Sequence, residues 1–260
     1  MQKTERQPAP NASRQDTDLI IGRNAVAEAL RAGVPIDSVI TASGERQGSI
    51  VPLLAQCREK GIPVKQADVR KLDFMCGGAR HQGILAVVAC KEYVGLDDLF
   101  TLAAQKGEPP FFIVCDGLED PHNVGAVLRT AEAAGAHGVI LPRRHSAGLT
   151  AAVYKASAGA AAHIPVARVT NLSDALRRLK EKGVWVYGLD MDGAPWCRTD
   201  LTGPVALVIG SEGSGIGRLV REHCDGVLSL PMCGRINSLN ASVAGGIAMY
   251  EVVRQRQGLK

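Results

Sequence analysis

The sequence of 260 residues lacks the hydrophobic segments that mark membrane-spanning and secreted proteins. It has no run of about 18 apolar residues, the length that a membrane-spanning helix needs. Its first residues, MQKTERQPAPNASRQDTD, have no apolar centre and do not resemble a signal peptide. We therefore expect a globular protein of the cytoplasm.

Patterns that form disulfides or bind metals are also missing. The seven cysteines are odd in number and never occur as CxxC, which argues against a disulfide framework and a thiolate zinc site. The six histidines show no spacing typical of metal ligands. We expect reduced, mostly buried thiols and no bound metal.

The segment VALVIGSEGSGIGR, residues 205–218, places glycines after an apolar run without matching a nucleotide fingerprint. A dinucleotide fold needs GxGxxG near its first strand and an acidic residue about 20 positions later, and both conditions fail. GxxxxGK[ST] is absent as well, which argues against phosphoryl transfer. The loop is an ordinary glycine-rich turn or, as we favour, a place where a nucleotide-like ligand contacts bare backbone. Its Glu212 is then solvated or placed for chemistry.

The composition favours a sizeable globular core. Apolar residues make up 46% of the chain, enough for one large domain or for two smaller ones. The net charge of +4 allows a nucleic-acid partner but does not require one, because many proteins with small-molecule substrates are equally basic.

The pattern along the chain predicts two α/β domains. Residues 1–17 are polar and aperiodic, and we predict a disordered tail there. Residues 18–90 form the first domain, 91–110 a polar connector with one short helix, and 111–260 the second domain. The predicted elements of the first domain are a helix over 24–32, a strand over 38–42, a helix over 50–60 ended by Gly61, and strands over 62–67 and 84–89.

The second domain is predicted to contain a parallel sheet. Its short apolar runs are continuous rather than alternating, as in strands covered on both faces. They cover residues 110–116, 138–141, 163–169, 183–190, 204–210 and 226–231. Open α/β sheets bind ligands beyond the carboxyl ends of their strands. Because polar residues cluster at three such ends, over 116–129, 210–217 and 231–240, we expect these segments to converge on one site.

The segment 230–256 joins the last strand to a final helix. Ser238 and Asn240 both suit the N-cap position. Gly245 and Gly246 are adjacent in the helix interior, where each costs about 1 kcal/mol relative to alanine. Something must therefore approach the helix closely there, either another subunit or another stretch of backbone.

A basic turn, PRRHSAGLTAAVYK, follows the predicted strand over 138–141. It carries Arg143, Arg144, His145 and Lys155. Such a turn is either a solvated surface or a contact to RNA phosphates, and its nearness to the predicted site favours RNA.

Three ordered segments resemble the SpoU branch of the SPOUT methyltransferases. They are NVGAVLRTAEAAGA (123–136), VIGSEGSGI (208–216) and LPMCGRINSLNASVA (230–244), with further matches in VYKASAGAAAHIPV (153–166) and IIGRNAVAEAL (20–30). The resemblance covers nearly the whole chain from Leu19. One departure is Ala241, where a branched apolar residue is more usual. Within the family, the sequence is most similar to bacterial enzymes that methylate the ribose 2′-oxygen of a guanosine in large-subunit (23S) ribosomal RNA.

The resemblance implies a trefoil-knotted α/β methyltransferase domain that forms a homodimer and binds S-adenosylmethionine through its three loops. The implied cofactor-binding residues are Leu189, Gly210, Leu230, Ser238, Leu239 and Asn240. The first domain resembles the RNA-binding fold of certain kink-turn-binding ribosomal proteins. It would add Arg23 to the RNA-binding residues of the basic turn, Arg143, Arg144, His145 and Lys155.

The resemblance also implies the reacting groups, Asn123, Arg129, Glu212 and Asn240. A ribose 2′-hydroxyl is a weak nucleophile and the methyl group is already activated, so the protein must align the attack and help remove a proton. We predict that Asn123 caps its helix and orients the site, while Arg129 reaches the ribose and its phosphate. Family proposals make this arginine the general base, although guanidinium stays protonated in proteins. A phosphate and oxyanion clamp is our preferred role for Arg129, and Glu212 is the other candidate to accept the proton.

Three alternatives remain beside a ribosomal-RNA ribose methyltransferase. A non-catalytic RNA-binding or ribosome-assembly protein would lack one of the four reacting groups, and all four are present. A transfer-RNA ribose methyltransferase usually lacks a first domain of this kind. A nicotinamide-dependent dehydrogenase is disfavoured by the glycine spacing.

Overall fold

The computed structural model describes residues 19–44 and 49–259. The predicted disordered tail, residues 1–17, lies outside them. Within the described ranges, no helix has the length and apolar character needed to cross a membrane.

Over its described residues, the first domain is a four-stranded sheet with three helices. Its strand order is β1-β4-β2-β3; β2 and β3 are parallel, and β4 is antiparallel to both β1 and β2. The elements are β1 (Leu19–Ile21), α1 (Arg23–Ala32), β2 (Ile36–Ala42), α2 (Ile50–Glu59), β3 (Val64–Ala67), α3 (Val69–Met75) and β4 (Ile84–Val88). Every helix and strand predicted for this domain is confirmed, with ends that differ by two residues at most.

The sequence did not predict helix α3. The Asp68 side chain caps it by accepting a hydrogen bond of 2.7 Å from the Arg70 amide. With seven residues and one fully buried side chain, Leu72, the helix is too short to show a helical period. The capping aspartate was the available signal.

The connector differs from its prediction. Helix α4 (Leu96–Lys106) fills eleven of its residues and places Leu96 and Leu99 in a core of the second domain, while Ala103 is also buried. Leu99 lies so close to Gly138 that a Cβ added there would be 2.5 Å from the leucine Cδ2. Residues 96–106 are therefore part of the core of the second domain rather than a linker.

The second domain contains six parallel strands in the order β10-β8-β9-β5-β6-β7, which confirms the predicted parallel sheet. Its strands are β5 (Phe111–Cys115), β6 (Gly138–Pro142), β7 (Val166–Val169), β8 (Trp185–Pro195), β9 (Val205–Ile209) and β10 (Gly226–Ser229). Its other helices are α5 (Pro121–Ala133), α6 (Ala151–Ala156), α7 (Leu172–Glu181), α8 (Arg218–Glu222) and α9 (Ala241–Arg256), with short 3₁₀ helices at Ala160–Ala162 and Trp196–Arg198.

Strand β5 shows why these strands read as continuous apolar runs. Its alternate residues Phe111 and Ile113 enter one hydrophobic core, while Phe112 and Val114 enter the other. Because helices cover both faces of the sheet, both sets of side chains are buried.

The two glycines of α9 allow close packing within the chain. A Cβ on Gly245 would be 2.5 Å from Cδ1 of Ile209 on β9, too close to fit without a shift, whereas a Cβ on Gly246 would make an ordinary contact of 3.5 Å with Cγ2 of Thr130 on α5. The close approach expected at these glycines is thus made by side chains of the same chain.

None of the seven cysteines, all of which lie in the described residues, forms a disulfide bond, but the expectation that most are buried is wrong. Cys57, Cys76 and Cys115 are buried, Cys224 is half-buried, and Cys90, Cys197 and Cys233 are exposed. The three exposed ones lie outside the hydrophobic cores, after β4, in the 3₁₀ helix that follows β8, and in the loop before α9.

Candidate functional site

Three loops meet at the carboxyl edge of the second sheet. They follow the adjacent strands β5 and β9, and the outer strand β10. Parallel strands all end on the same edge, so loops that are distant in sequence become neighbours there. The structure thus brings together the three segments that the sequence singled out.

Asn123, Glu212 and Asn240 form a closed ring of hydrogen bonds, one residue from each loop region. The side-chain amide of Asn123 donates to Glu212 Oε1 over 3.0 Å. The side-chain amide of Asn240 donates to Asn123 Oδ1 over 2.9 Å and also to Glu212 Oε1. Glu212 Oε2 has no hydrogen bond within the described residues and is free to accept one. The ring fixes the direction of one exposed carboxylate.

The helix caps correct one prediction and agree with another. Asp120, not Asn123, caps α5 by accepting a hydrogen bond of 2.9 Å from the His122 amide. The aspartate directly before Pro121 was the signal to read, because proline is favoured at the first position of a helix. Asn240 is the N-cap of α9, and its Oδ1 accepts from the Ser242 amide over 3.0 Å. Ser238 is not a cap.

The glycine loop after β9 is closed by its own backbone. Ser211 and Gly215 exchange two hydrogen bonds of 3.0 and 2.9 Å, and Gly215 has a left-handed φ of +63°. A Cβ on Gly210 would be 2.2 Å from the Gly215 carbonyl carbon. Asp116, at the end of β5, accepts a hydrogen bond of 2.7 Å from the Gly217 amide and so ties the loop to the neighbouring strand.

A cavity of about 400 Å³ lies beside this loop. It is the size of a typical small-molecule site. Five of the six predicted cofactor-binding residues line it: Leu189, Gly210, Leu230, Ser238 and Leu239. Asn240 does not line it, although both of its sequence neighbours do.

Asp190 also lines the cavity, and the sequence analysis missed it. Its Oδ2 pairs with Arg221 over 2.9 Å, and the same guanidinium contacts Asp192 over 2.8 Å. The hydrogen bond from Arg221 holds the pKa of Asp192 below its usual value. The available sequence signal was DMD at the end of the predicted strand, where Asp190 and Asp192 flank Met191. Two carboxylates so close together suit one shared basic partner, as Arg221 is here.

Arg129 does not join the ring. It lies on the exposed side of α5, and the described part of the chain offers it no hydrogen bond or ion pair. Six residues of helix separate it from Asn123 by about 9 Å along the axis. Its guanidinium is therefore available to an added ligand.

The predicted RNA-binding residues fall in three places. Arg143, Arg144 and His145 line a groove between the two domains. Lys155 is exposed on α6, and Arg23 lies at the start of α1 in the first domain. Neither of these two lines the groove.

Two of these arginines already have structural contacts. The Arg143 guanidinium packs on Gly61 of the first domain, where a Cβ would be 2.4 Å from Nη1, and burial lowers the pKa of Arg143. Arg23 donates through Nε to the Gln82 carbonyl over 2.9 Å and through Nη1 to Ser49 over 3.2 Å. Arg144, which is exposed, is better placed to meet a phosphate.

No three His, Cys, Asp or Glu side chains are grouped for a metal ion anywhere in residues 19–44 and 49–259. The absence of a metal stays a prediction.

Comparison with known families decides what kind of protein has this site. Residues 110–250 match the SpoU rRNA methylase family, and residues 19–94 match the substrate-binding domain of RNA 2′-O ribose methyltransferases. The chain belongs to the SpoU methylase family. The predicted α/β fold, with a parallel-sheet methyltransferase domain after a substrate-binding domain, and RNA ribose methylation are thereby confirmed at the level of the family. Solved SpoU and rRNA methyltransferase structures with bound AdoMet confirm the S-adenosylmethionine cofactor at the same level.

Relatives of this SpoU family member match it over different shares of its length. YacO of Bacillus subtilis (strain 168), provisionally named a TrmH family tRNA/rRNA methyltransferase, is 49% identical over 93% of this chain and 97% of its own length. An AdoMet-bound rRNA methyltransferase from Sinorhizobium meliloti superposes with a TM-score of 0.58 at 25% identity, over 93% of this chain and 87% of that one. A TrmH/SpoU tRNA modifying enzyme of A. aeolicus, with a TM-score of 0.53 at 25% identity, covers 63% of this chain and 83% of its own.

Proposed function

We propose that this SpoU family member methylates the ribose 2′-hydroxyl of a guanosine in large-subunit (23S) ribosomal RNA, in the cytoplasm. The observation that carries the proposal is the ring of Asn123, Glu212 and Asn240 beside a cavity of about 400 Å³. The ring of side chains can direct a nucleophile, while the cavity holds a methyl donor.

The cavity fits S-adenosylmethionine in size and chemistry. Leu189, Leu230 and Leu239 supply apolar surface for an adenine ring, and the loop from Gly210 to Gly217 supplies backbone polar groups. We assign cofactor binding to these residues and to Ser238. Asn240 acts from the ring rather than from the cavity wall.

The cofactor, when bound, supplies a methyl group that its sulfonium already activates. The protein must then hold the 2′-oxygen in line with that methyl group and take up the hydroxyl proton. Glu212 is held by two amide donors through Oε1, which leaves Oε2 to accept or orient the proton. Asn123 and Asn240 are positioning residues that keep this carboxylate in place.

Arg129 is assigned the remaining task of holding the RNA. Its exposed guanidinium has no partner within the described residues and can bind two oxygens at once. A ribose and its neighbouring phosphate offer such a pair. We therefore propose that Arg129 is an essential clamp on the ribose and its phosphate. The alternative role is that of general base for the 2′-hydroxyl proton.

Ribosomal RNA is favoured over transfer RNA by the first domain. The rRNA methyltransferase of Sinorhizobium meliloti matches 93% of this chain, whereas the tRNA modifying enzyme of A. aeolicus matches 63%. A match over 93% of the chain includes most of both domains, and residues 19–94 match a substrate-binding domain. We therefore expect this domain to determine the choice of substrate.

The proposal is tested by incubating the purified protein with labelled S-adenosylmethionine and either ribosomal RNA, assembling large subunits or transfer RNA. We expect label in the large-subunit RNA, at one 2′-O-methylguanosine found by mapping. Label confined to transfer RNA would support the rival enzyme. RNA binding without transfer to any RNA would support the non-catalytic alternative.

A homodimer is the second part of the proposal, together with the knot that the family resemblance implies. Helix α9 is buried along one side, through Ala248 and Val252, yet Val243, Ile247 and Tyr250 are 50%, 37% and 52% exposed on the other. These three residues follow the spacing of one helical face. In residues 241–250 of this helix the one polar side chain is Ser242, so its first part is apolar on the exposed side as well as on the buried one, as expected of a helix that packs inside a larger assembly.

Ile247→Glu is expected to convert the dimer to monomers, because it would bury a charge in the interface. Sedimentation velocity measures the result. The matched control is Val69→Glu, which places the same charge on an exposed apolar residue of α3. An Ile247→Glu variant that sediments as the wild type does would remove α9 from the interface.

A further inference from the structure

An open groove of about 1440 Å³ separates the two domains. One wall belongs to the first domain, where α2, β2 and the edge strand β3 meet. The other wall is the turn after β6, residues 142–150. The groove is larger than a small-molecule site and is formed by both halves of the chain.

The charges along the groove are mainly positive. Arg58 and Lys65 project from the first domain, and Arg144 faces them from the second. All three are exposed and have no side-chain partner among the described residues. The acidic residues are already paired, since Asp37 binds Arg168 and Glu119 binds His145 over 3.1 Å. An anionic chain is the ligand that suits such a surface.

The lining of the groove extends to the start of α5, two residues before Asn123. Glu119 and Pro121 line it, and Pro121 is the first residue of α5. Asn123 of the ring follows two residues later. A ligand lying in the groove would therefore pass the first domain and arrive at the start of α5.

A buried polar cluster holds the two walls together. Arg168 on β7 donates to the Asp37 carboxylate on β2 over 2.8 Å, and both side chains are 4% exposed. The Tyr93 hydroxyl donates to Asp37 over 2.8 Å and accepts from the Leu149 amide over 2.8 Å. Burial, followed by the Asp37 charge, raises the pKa of Tyr93 far above its usual value, so the phenol stays a donor.

Gly148 shows how tightly this cluster is fitted. A Cβ on it would be 1.5 Å from Asp37 Oδ1 and 2.8 Å from the Tyr93 hydroxyl. No residue larger than glycine fits while the domains stay in contact. A buried ion pair resists separation, because parting it would leave each charge without its partner.

We propose that one RNA strand lies in this groove, with Arg58, Lys65 and Arg144 on its phosphates, and that the Asp37–Arg168 cluster presets the distance between recognition and methylation. The inference rests on the proposed function for the identity of the ligand as RNA. Beyond that function, the inference is that RNA recognition and methyl transfer occur along a single rigid channel within one subunit.

The first test removes two charges from the wall opposite the basic turn. In the full-length Arg58→Ala/Lys65→Ala variant, we expect the slope of log Kd against log salt to fall by about 1.4, since each contact to a single strand adds about 0.7. The probe is a fluorescein-labelled stem-loop RNA, read by anisotropy. Affinity for S-adenosylmethionine should not change, because neither residue lines the cofactor cavity.

Arg70→Ala/Lys71→Ala is the matched control. It removes the same number of exposed charges from the first domain, on α3 outside the groove. A drop in slope equal to that of the groove variant would show a diffuse charge effect and overturn the proposal. An unchanged slope in the groove variant would also overturn it.

The second test wedges the domains apart. Gly148→Ala should raise the radius of gyration in small-angle X-ray scattering and weaken RNA binding roughly tenfold, the scale of losing a few phosphate contacts. Cofactor affinity should stay at the wild-type value. If this variant fails to fold, Tyr93→Phe removes one hydrogen bond of the cluster without adding bulk. Wild-type scattering and wild-type RNA affinity in either folded variant would refute the preset channel.

The two proposals fail in different ways. A wild-type protein that methylates RNA while the groove variants bind it normally would refute the channel and leave the function standing. A wild-type protein that binds the stem-loop with the expected slope but methylates no RNA would refute the function, since anisotropy reads the groove without catalysis.

Discussion

Arg129→Lys is expected to lower the single-turnover rate of methyl transfer by roughly 10²-fold or more, the usual scale for a positioned catalytic group. Lysine keeps the charge and most of the length but lacks the planar fork that holds two oxygens. Binding of S-adenosylmethionine should be unchanged, because Arg129 does not line the cavity. Rapid-quench assays with labelled cofactor measure the rate, and calorimetry measures the binding.

Arg31→Lys on α1 is the matched control for this substitution. Arg31 is 68% exposed, and among the described residues its ion pair is with Glu28 over 3.1 Å, so the same change there should have no effect on the rate. The pH dependence separates the two roles of Arg129. A lysine that acts as a base should recover activity as the pH rises, whereas a lost clamp should stay slow at every pH. A near wild-type rate in Arg129→Lys would mean that a positive charge at position 129 is sufficient. The 2′-hydroxyl proton would then be assigned to Glu212.

Gly210→Ala is expected to weaken S-adenosylmethionine binding by about fivefold to 150-fold, the equivalent of the 1–3 kcal/mol that overpacking typically costs. The new methyl group would lie 2.2 Å from the Gly215 carbonyl carbon and 2.5 Å from the Ile216 amide nitrogen. The loop would have to open, and its backbone groups would leave the cavity wall. Calorimetry with the cofactor and with its demethylated product measures the loss.

Gly203→Ala, in the turn before β9, provides the control, because Gly203 does not line the cofactor cavity. A Cβ at Gly203 meets no atom within 4 Å, and its φ lies outside the left-handed region. This variant should bind the cofactor as the wild type does. Thermal unfolding must show that both variants are folded. Wild-type affinity in a folded Gly210→Ala protein would exclude the loop from the cofactor site.

The sheets could be predicted because their signals are local. Five adjacent apolar residues such as those of β5 cannot alternate between core and solvent, so the run itself indicates a strand covered on both sides. The connector was harder to interpret. The apolar residues Leu96, Leu99 and Ala103 of α4 have helical spacing, but polar neighbours and the following prolines concealed it.

The site was only partly predictable for a different reason. The family resemblance supplied Asn123, Glu212 and Asn240, yet no sequence pattern shows that they bond to one another. Asp37 and Arg168 are 131 residues apart and belong to different domains, so their pairing exists only in the folded chain. Long-range polar contacts of this kind leave no periodicity behind.

The buried cluster between the domains limits how the protein can be recombined. Residues 19–94 match a substrate-binding domain, which invites exchanging that segment between relatives to redirect specificity. Asp37 and Tyr93 would leave with the segment, while Arg168 would stay behind as a buried cation without its carboxylate. A working chimera therefore has to inherit both sides of the junction from one parent, with Gly148 among them.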